Sequence, residues 1–156
     1  MKSEELFIYS DDLILLLREV IGKGAVLRFQ ARGYSMSPFI KHGDIITVAP
    51  LKNSIKTGDV VAFIGNGKKL IVHRIIGKIK NSFVIKGDNL SEADGVIPEN
   101  NILGYVRKVE RDGTNISLGL GNEQFLIALF SRLKILKYLI FLFRILMPSF
   151  IRRLIL

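Results

Sequence analysis

The sequence predicts a mainly β domain, a small coiled antiparallel sheet or barrel, with an N-terminal helix and apolar, basic C-terminal helices. Two observations carry that expectation. Short runs rich in β-branched residues recur from Val26 to Leu120, separated by Gly, Asp and Asn. Their spacing of roughly 8–15 residues favours a coiled antiparallel sheet over an α/β fold. The composition then changes abruptly at Gln124, beyond which Leu, Ile and Phe dominate and no Asp or Glu occurs.

In chain order, residues 3–22 read as a helix. Ser10-Asp11-Asp12 is a start signal, Leu13, Leu15, Leu16, Leu17, Val20 and Ile21 make an apolar face, and Gly22 and Gly24 stop it. Val26 to Ala31 alternates apolar with polar and is a strand. A turn follows at Gly33-Tyr34-Ser35-Met36-Ser37-Pro38. Further strands are expected at 45–48, 60–64, 70–76, 82–85, 103–109 and 116–120. Turn signals stand between them at Gly43-Asp44, Gly58-Asp59, Gly65-Asn66-Gly67 and Gly87-Asp88-Asn89. Residues 124–156 read as one helix that Pro148 kinks or ends. The expected organisation is an N-terminal helix over 1–24, a central domain over 25–121 and a helical tail over 122–156.

Charge and cysteine content narrow the chemistry. The 156 residues hold 23 Lys+Arg, 14 Asp+Glu and no cysteine, for a net charge of +9. Thiol catalysis, disulfides and zinc–thiolate sites are excluded, and His42 and His73 are too few for a histidine-rich metal centre. Neither a cofactor nor a metal is expected. Arg132, Lys134, Lys137, Arg144, Arg152 and Arg153 lie beyond the last acid, which leaves 17 basic and 14 acidic residues over 1–123. The excess charge thus belongs mainly to the greasy tail. That points to an anionic membrane as the partner of residues 124–156, and away from nucleic acid, for which no aromatic stacking platform is interleaved with the cations.

Drawn as one helix at about 100° per residue, Lys134, Lys137, Arg144 and Arg152 fall within roughly 80°. About eleven apolar residues at −0.3 to −0.6 kcal/mol each nearly cancel the 2.5–3.5 kcal/mol cost of Arg144 and the smaller one of Lys137. In-plane association is therefore expected over spanning. A helical hairpin covering the domain, or a dimer contact, is the alternative. The start of the chain, with Glu4, Glu5, Asp11 and Asp12, has the wrong sign for a secretory signal and offers no apolar anchor. The expected location is the membrane, with the domain on its cytoplasmic face. A spanning tail would instead place it outside.

Without cysteine, a nucleophile must be a hydroxyl, a lysine or a carboxylate. Ser35 stands out: Gly33 permits a sharp bend before it, Pro38 fixes the exit, and backbone N–H groups in such a turn suit an oxyanion. The ordinary reading is a turn serine, and Ser37 competes with it. For a base, His73 sits in Leu70-Ile71-Val72-His73-Arg74-Ile75-Ile76, sharing one strand face with Ile71 and Ile75. Its ordinary reading is a core histidine, and His42 is an exposed turn residue. A carboxylate to orient the imidazole is offered by Asp88 or Asp94.

Taken together, these segments resemble the catalytic domain of the type I signal peptidases, in the superfamily they share with LexA-like self-cleaving repressors. Gly33-Tyr34-Ser35-Met36-Ser37-Pro38 with Gly43-Asp44 looks like the nucleophile box. Gly58-Asp59-Val60-Val61-Ala62-Phe63 looks like the second box, Val72-His73-Arg74-Ile75 the third, and Lys86-Gly87-Asp88-Asn89 with Asp94 the fourth. The resemblance spans residues 26–109. Where the bacterial housekeeping enzymes and the repressors carry a lysine base, this chain has histidine, as in the archaeal and endoplasmic-reticulum branch.

The resemblance implies a serine endopeptidase that cleaves leader or signal segments, with Ser35 as nucleophile, His73 as base and Asp94 as orienter. Asp88, Met36 and Gly33 support them. It also implies a peptide or preprotein substrate bound as an added strand. Some relatives add a serine hydroxyl two positions before the nucleophile, where this chain has Gly33. Signal peptidases usually carry an N-terminal membrane anchor, which is replaced here by an acidic helix. The residues before the domain leave no room for a repressor's helix-turn-helix. The competing reading is a non-catalytic peptide-binding module using the same groove.

Overall fold

The computed structural model describes residues 10–51, 54–65 and 69–146. Ser10–Gly22 form α1. The strands are β1 (Leu27–Gln30), β2 (Ile45–Ala49), β3 (Val60–Ile64), β4 (Leu70–Ile79), β5 (Ser82–Lys86), β6 (Gly95–Pro98), β7 (Ile102–Arg111) and β8 (Thr114–Ile116). They make one antiparallel sheet in the order β1-β2-β7-β3-β4-β5-β6, with β8 paired to β7. The register shifts between Thr47 and Val48, Ala62 and Phe63, and Ile75 and Gly77. Each such bulge bends its strand and adds twist, so the sheet coils without closing.

Alternation along β3 and β4 puts apolar side chains on both faces, because both faces are covered. Val60 and Ala62 join Met36, Ile46, Val48, Val106 and Val109 beneath α1. Val61 and Phe63 point the other way, with Ile75, Phe83, Ile85 and Ile97. On α1, the residues that meet this core are Ile14, Leu17 and Ile21, at i, i+3 and i+7. Leu15 and Leu16, expected on the buried face, are exposed because they lie on the opposite side of the helix.

Most elements fall where the sequence puts them, and the differences have local causes. The last expected strand forms earlier, as β8. Asp112-Gly113 makes a two-residue hairpin pairing Arg111 with Thr114, so residues 117–120 turn away. Strand β6 was not expected; Gly95-Val96-Ile97-Pro98 is short and forms by pairing with β5. Among the described residues the tail forms two helices, α2 (Gln124–Arg132) and α3 (Leu136–Leu146). Lys134 adopts φ +61 between them, which breaks the single helix and its cationic stripe. The expected helix start at residue 3, turn residues 66–67, and Pro148, Arg152 and Arg153 lie outside the described residues.

Candidate active site

Three segments meet at one end of the sheet. The first is the 33–40 turn after β1. Met36 and Ile40 are buried in the α1-side core and anchor this turn from below. Within it Ser37 N–H donates to Tyr34 O, and the Phe39 and Ile40 N–H groups donate to Met36 O. At its start the Gly33 N–H donates to His42 Nδ1 at 3.3 Å, and the His42 ring stacks on Tyr34. Ser35 is half-buried on top.

The second segment is β4. His73 pairs with Val61 across the ladder and is 5% exposed, with its ring 6.3 Å from that of Phe63. The apolar surroundings and the ladder hold the imidazole in place. The third segment is the 87–94 turn between β5 and β6. The Asp94 N–H donates to Ile85 O at 2.9 Å, which fixes the residue where the β5–β6 ladder begins.

These segments bring Asp94 Oδ2 to 2.7 Å from His73 Nδ1. An ionised carboxylate only accepts, so Nδ1 carries the proton, and in the neutral imidazole Nε2 is then the acceptor. Nε2 borders Gly87, as does the Ser35 carbonyl. A Cβ placed on Gly87 would lie 2.9 Å from His73 Nε2 and 2.8 Å from Ser35 O. Only glycine lets the fourth box pass between the serine turn and the imidazole. Asn89 completes the clamp: its N–H donates to Ser35 O at 2.8 Å and its side-chain amide to Tyr34 O at 3.1 Å. The structure thus joins His73 to Asp94 and brings Nε2 and the Ser35 carbonyl each up against Gly87. Among the described residues the Ser35 hydroxyl makes no hydrogen bond to that nitrogen. Such contacts often tighten only when substrate binds.

The other candidate carboxylate goes elsewhere. Asp88 receives two bonds from Arg74, Nε to Oδ1 at 2.8 Å and Nη2 to Oδ2 at 2.7 Å. Both side chains are 0% exposed. Arg74 Nη1 also donates to Gly58 O and Gly119 O, and the guanidinium lies over the Phe39 ring. Asp88 therefore supports the site indirectly, by tying its own turn to β4, the second box and the loop before α2.

That loop is braced by Glu123, whose carboxylate accepts from the Gly119 and Gly121 N–H groups. Burial pushes its carboxyl up, but the backbone donors outweigh burial and hold it below the usual carboxylate range. Gly58 must be glycine because the backbone of Gln124 would lie 2.9 Å from a Cβ there. The buried Asp44 of the first box is likewise structural, taking two bonds from Arg111.

A family model described as Peptidase S24-like matches residues 4–107, a span that contains Ser35, His73, Asp88 and Asp94. The chain belongs to the Peptidase S24-like family. A search of curated proteins found no match. Membership places the chain in the LexA/signal peptidase superfamily and supports a peptidase or hydrolase as its general class. Among the described residues no group of His, Asp and Glu is arranged to hold a metal ion.

The sequence reading missed what Arg74 does. A charged residue alternating with Val72 and Ile76 was a signal that the strand face it occupies is buried and that a buried partner must exist.

Proposed function

We propose that the chain is a serine endopeptidase of signal-peptidase type, cleaving leader segments with Ser35, His73 and Asp94. The observation that carries this reading is the 2.7 Å bond from His73 Nδ1 to Asp94, with Nε2 and the Ser35 carbonyl both bordering Gly87. In the reaction, Ser35 Oγ attacks the scissile carbonyl carbon while His73 Nε2 takes its proton. The imidazolium, stabilised by Asp94, returns that proton to the departing amine, leaving an acyl ester on Ser35. Water, deprotonated by Nε2, then attacks the ester and frees the serine. The Ser35 N–H, which has no acceptor among the described residues, is suited to the developing oxyanion.

The sheet also supports an added-strand substrate. Strand β4 pairs with β3 from Leu70 to Arg74, but its pairing with β5 begins only at Arg74. Among the described residues, 71–73 thus pair with β3 alone, and their other edge is where an extended peptide would add as a strand. The histidine in the third box favours the histidine-base branch over the lysine-base one.

The test is cleavage of a leader peptide by Ser35→Ala and, separately, His73→Ala. Each variant is expected to lose about 10⁴-fold or more in rate. Full-rate cleavage by either one contradicts the assignment, and the chain would then be read as a peptide-binding module.

A further inference from the structure

The α2–α3 hairpin is covered on one side and open on the other. Toward the domain, Ile127 and Leu136 are buried with Phe39. Lys86, at the end of β5, donates to the Ser131 carbonyl at 2.9 Å and pins the end of α2. On the outer side, Tyr138, Phe141, Leu142 and Ile145 stand at i, i+3, i+4 and i+7, each more than half exposed. Phe125 and Leu126 of α2 are more than half exposed as well. This spacing normally marks the buried face of a helix, and here it faces outward.

Charge says what covers it. Every charged side chain after Glu123 is basic. Arg132, Lys134 and Lys137 are exposed around the turn between the two helices. A second copy of the chain would bring like charges together across a two-fold interface. A bilayer carrying anionic headgroups complements both the apolar row and the cations. No helix among the described residues is long and apolar enough to cross that bilayer.

The same cations reach the catalytic turn. Lys137 Nζ donates to Ser91 Oγ at 3.0 Å, and Lys134 Nζ lies 3.8 Å from Glu92. Both partners belong to the 87–94 turn that ends at Asp94. We propose that α2–α3 is an in-plane docking surface for an anionic lipid bilayer and that it holds the Asp94 turn at the membrane. The substrate class that follows is a leader segment whose cleavage junction lies close to the bilayer. That last step rests on the peptidase reading above; the lipid surface does not.

The chain has no tryptophan, so Leu142→Trp supplies a single reporter. It is titrated with bromolipid vesicles of phosphatidylcholine, with and without phosphatidylglycerol. Quenching is expected, with affinity about 10- to 100-fold higher on the anionic vesicles and falling with added salt. In the otherwise unchanged chain, Phe141→Asp with Ile145→Asp should abolish co-sedimentation while helical circular dichroism is retained. Absent quenching, equal affinity for both vesicles, or self-association without lipid binding each overturns the docking surface.

For the substrate, cleavage of a leader peptide tethered to anionic vesicles is compared with cleavage of the same peptide free. The tethered peptide should be cut about 10-fold faster, with the ratio falling to one in the double variant. A ratio of one in a chain that binds vesicles and cuts the free peptide overturns the membrane placement and leaves the peptidase reading intact. No cleavage of either peptide by a vesicle-bound chain overturns the peptidase reading, and the substrate placement with it, while the lipid surface stands.

Discussion

His73 and Arg74 are neighbours on β4, and each meets an aspartate from the 87–94 turn, but the two pairs are satisfied to different degrees. Arg74 and Asp88 are wholly buried, and the guanidinium spends its donors on both Asp88 oxygens and two carbonyls. His73 and Asp94 share one bond, the Asp94 side chain is 18% exposed, and the second ring nitrogen borders Gly87 beside the serine turn's carbonyl. A pair with every group engaged fixes the positions of the elements around it. A pair with one basic nitrogen left over can exchange a proton. Alternation along one strand sends these two functions to opposite faces of the sheet.

The largest expected effect separates the two aspartates by activity. Asp94→Asn should lower the leader-cleavage rate about 10⁴-fold, because the imidazole loses its orienting anion and its tautomer. Urea denaturation of the same variant should shift by less than about 1 kcal/mol, since the carboxylate is partly solvated. A large stability loss with intact cleavage would reverse the roles given to the two pairs.

Asp88→Asn should show the opposite pattern. It leaves the Arg74 charge buried without its counter-charge, at a cost of about 3–5 kcal/mol in denaturant unfolding. The fraction that remains folded should still cleave within about 10-fold of the parent rate. Smaller again is Gly87→Ala. Its methyl group would sit under 3 Å from both Ser35 O and His73 Nε2. Displacing either should cut the rate about 100-fold and cost about 1–3 kcal/mol of stability. Parent-level activity in this variant would contradict the close approach of the two segments.

How much of this could be read from the sequence depends on how local each cause is. The four boxes, the strands expected at 45–48 and 60–64, and the choice of Ser35 and His73 rest on short-range patterns. The same holds for the change in character at Gln124. The Asp112-Gly113 hairpin was equally local and was overlooked. Whether Asp88 or Asp94 faces the imidazole is not local, and the sequence points to Asp94 only through the family resemblance. Residues 88 and 94 sit on one turn, and the β5–β6 pairing places the second at His73. The role of Arg74 depends on carbonyls 16 and 45 residues away. The break at Lys134 accompanies packing of Ile127 and Leu136 against Phe39, which no periodicity within the tail reveals.

The smallest effect concerns Glu123, which braces the loop that receives Arg74. Its folded carboxyl is held below the usual range, so its contribution is complete above the ordinary carboxylate value and is lost as pH falls through the lowered one. Glu123→Gln should therefore be less stable than the parent at neutral pH, with the two urea midpoints converging under acid. Midpoints that stay parallel down to acid pH would remove Glu123 from the support of the Arg74 hub.

The most direct test of the central claim is labelling of the folded chain with a serine-reactive fluorophosphonate, read by intact mass and peptide mapping. A single adduct on Ser35 is expected. It should be absent in Ser35→Ala and His73→Ala, strongly slowed in Asp94→Asn, and still formed by the folded fraction of Asp88→Asn. No adduct on the parent chain, or an adduct that survives in Ser35→Ala, would contradict it.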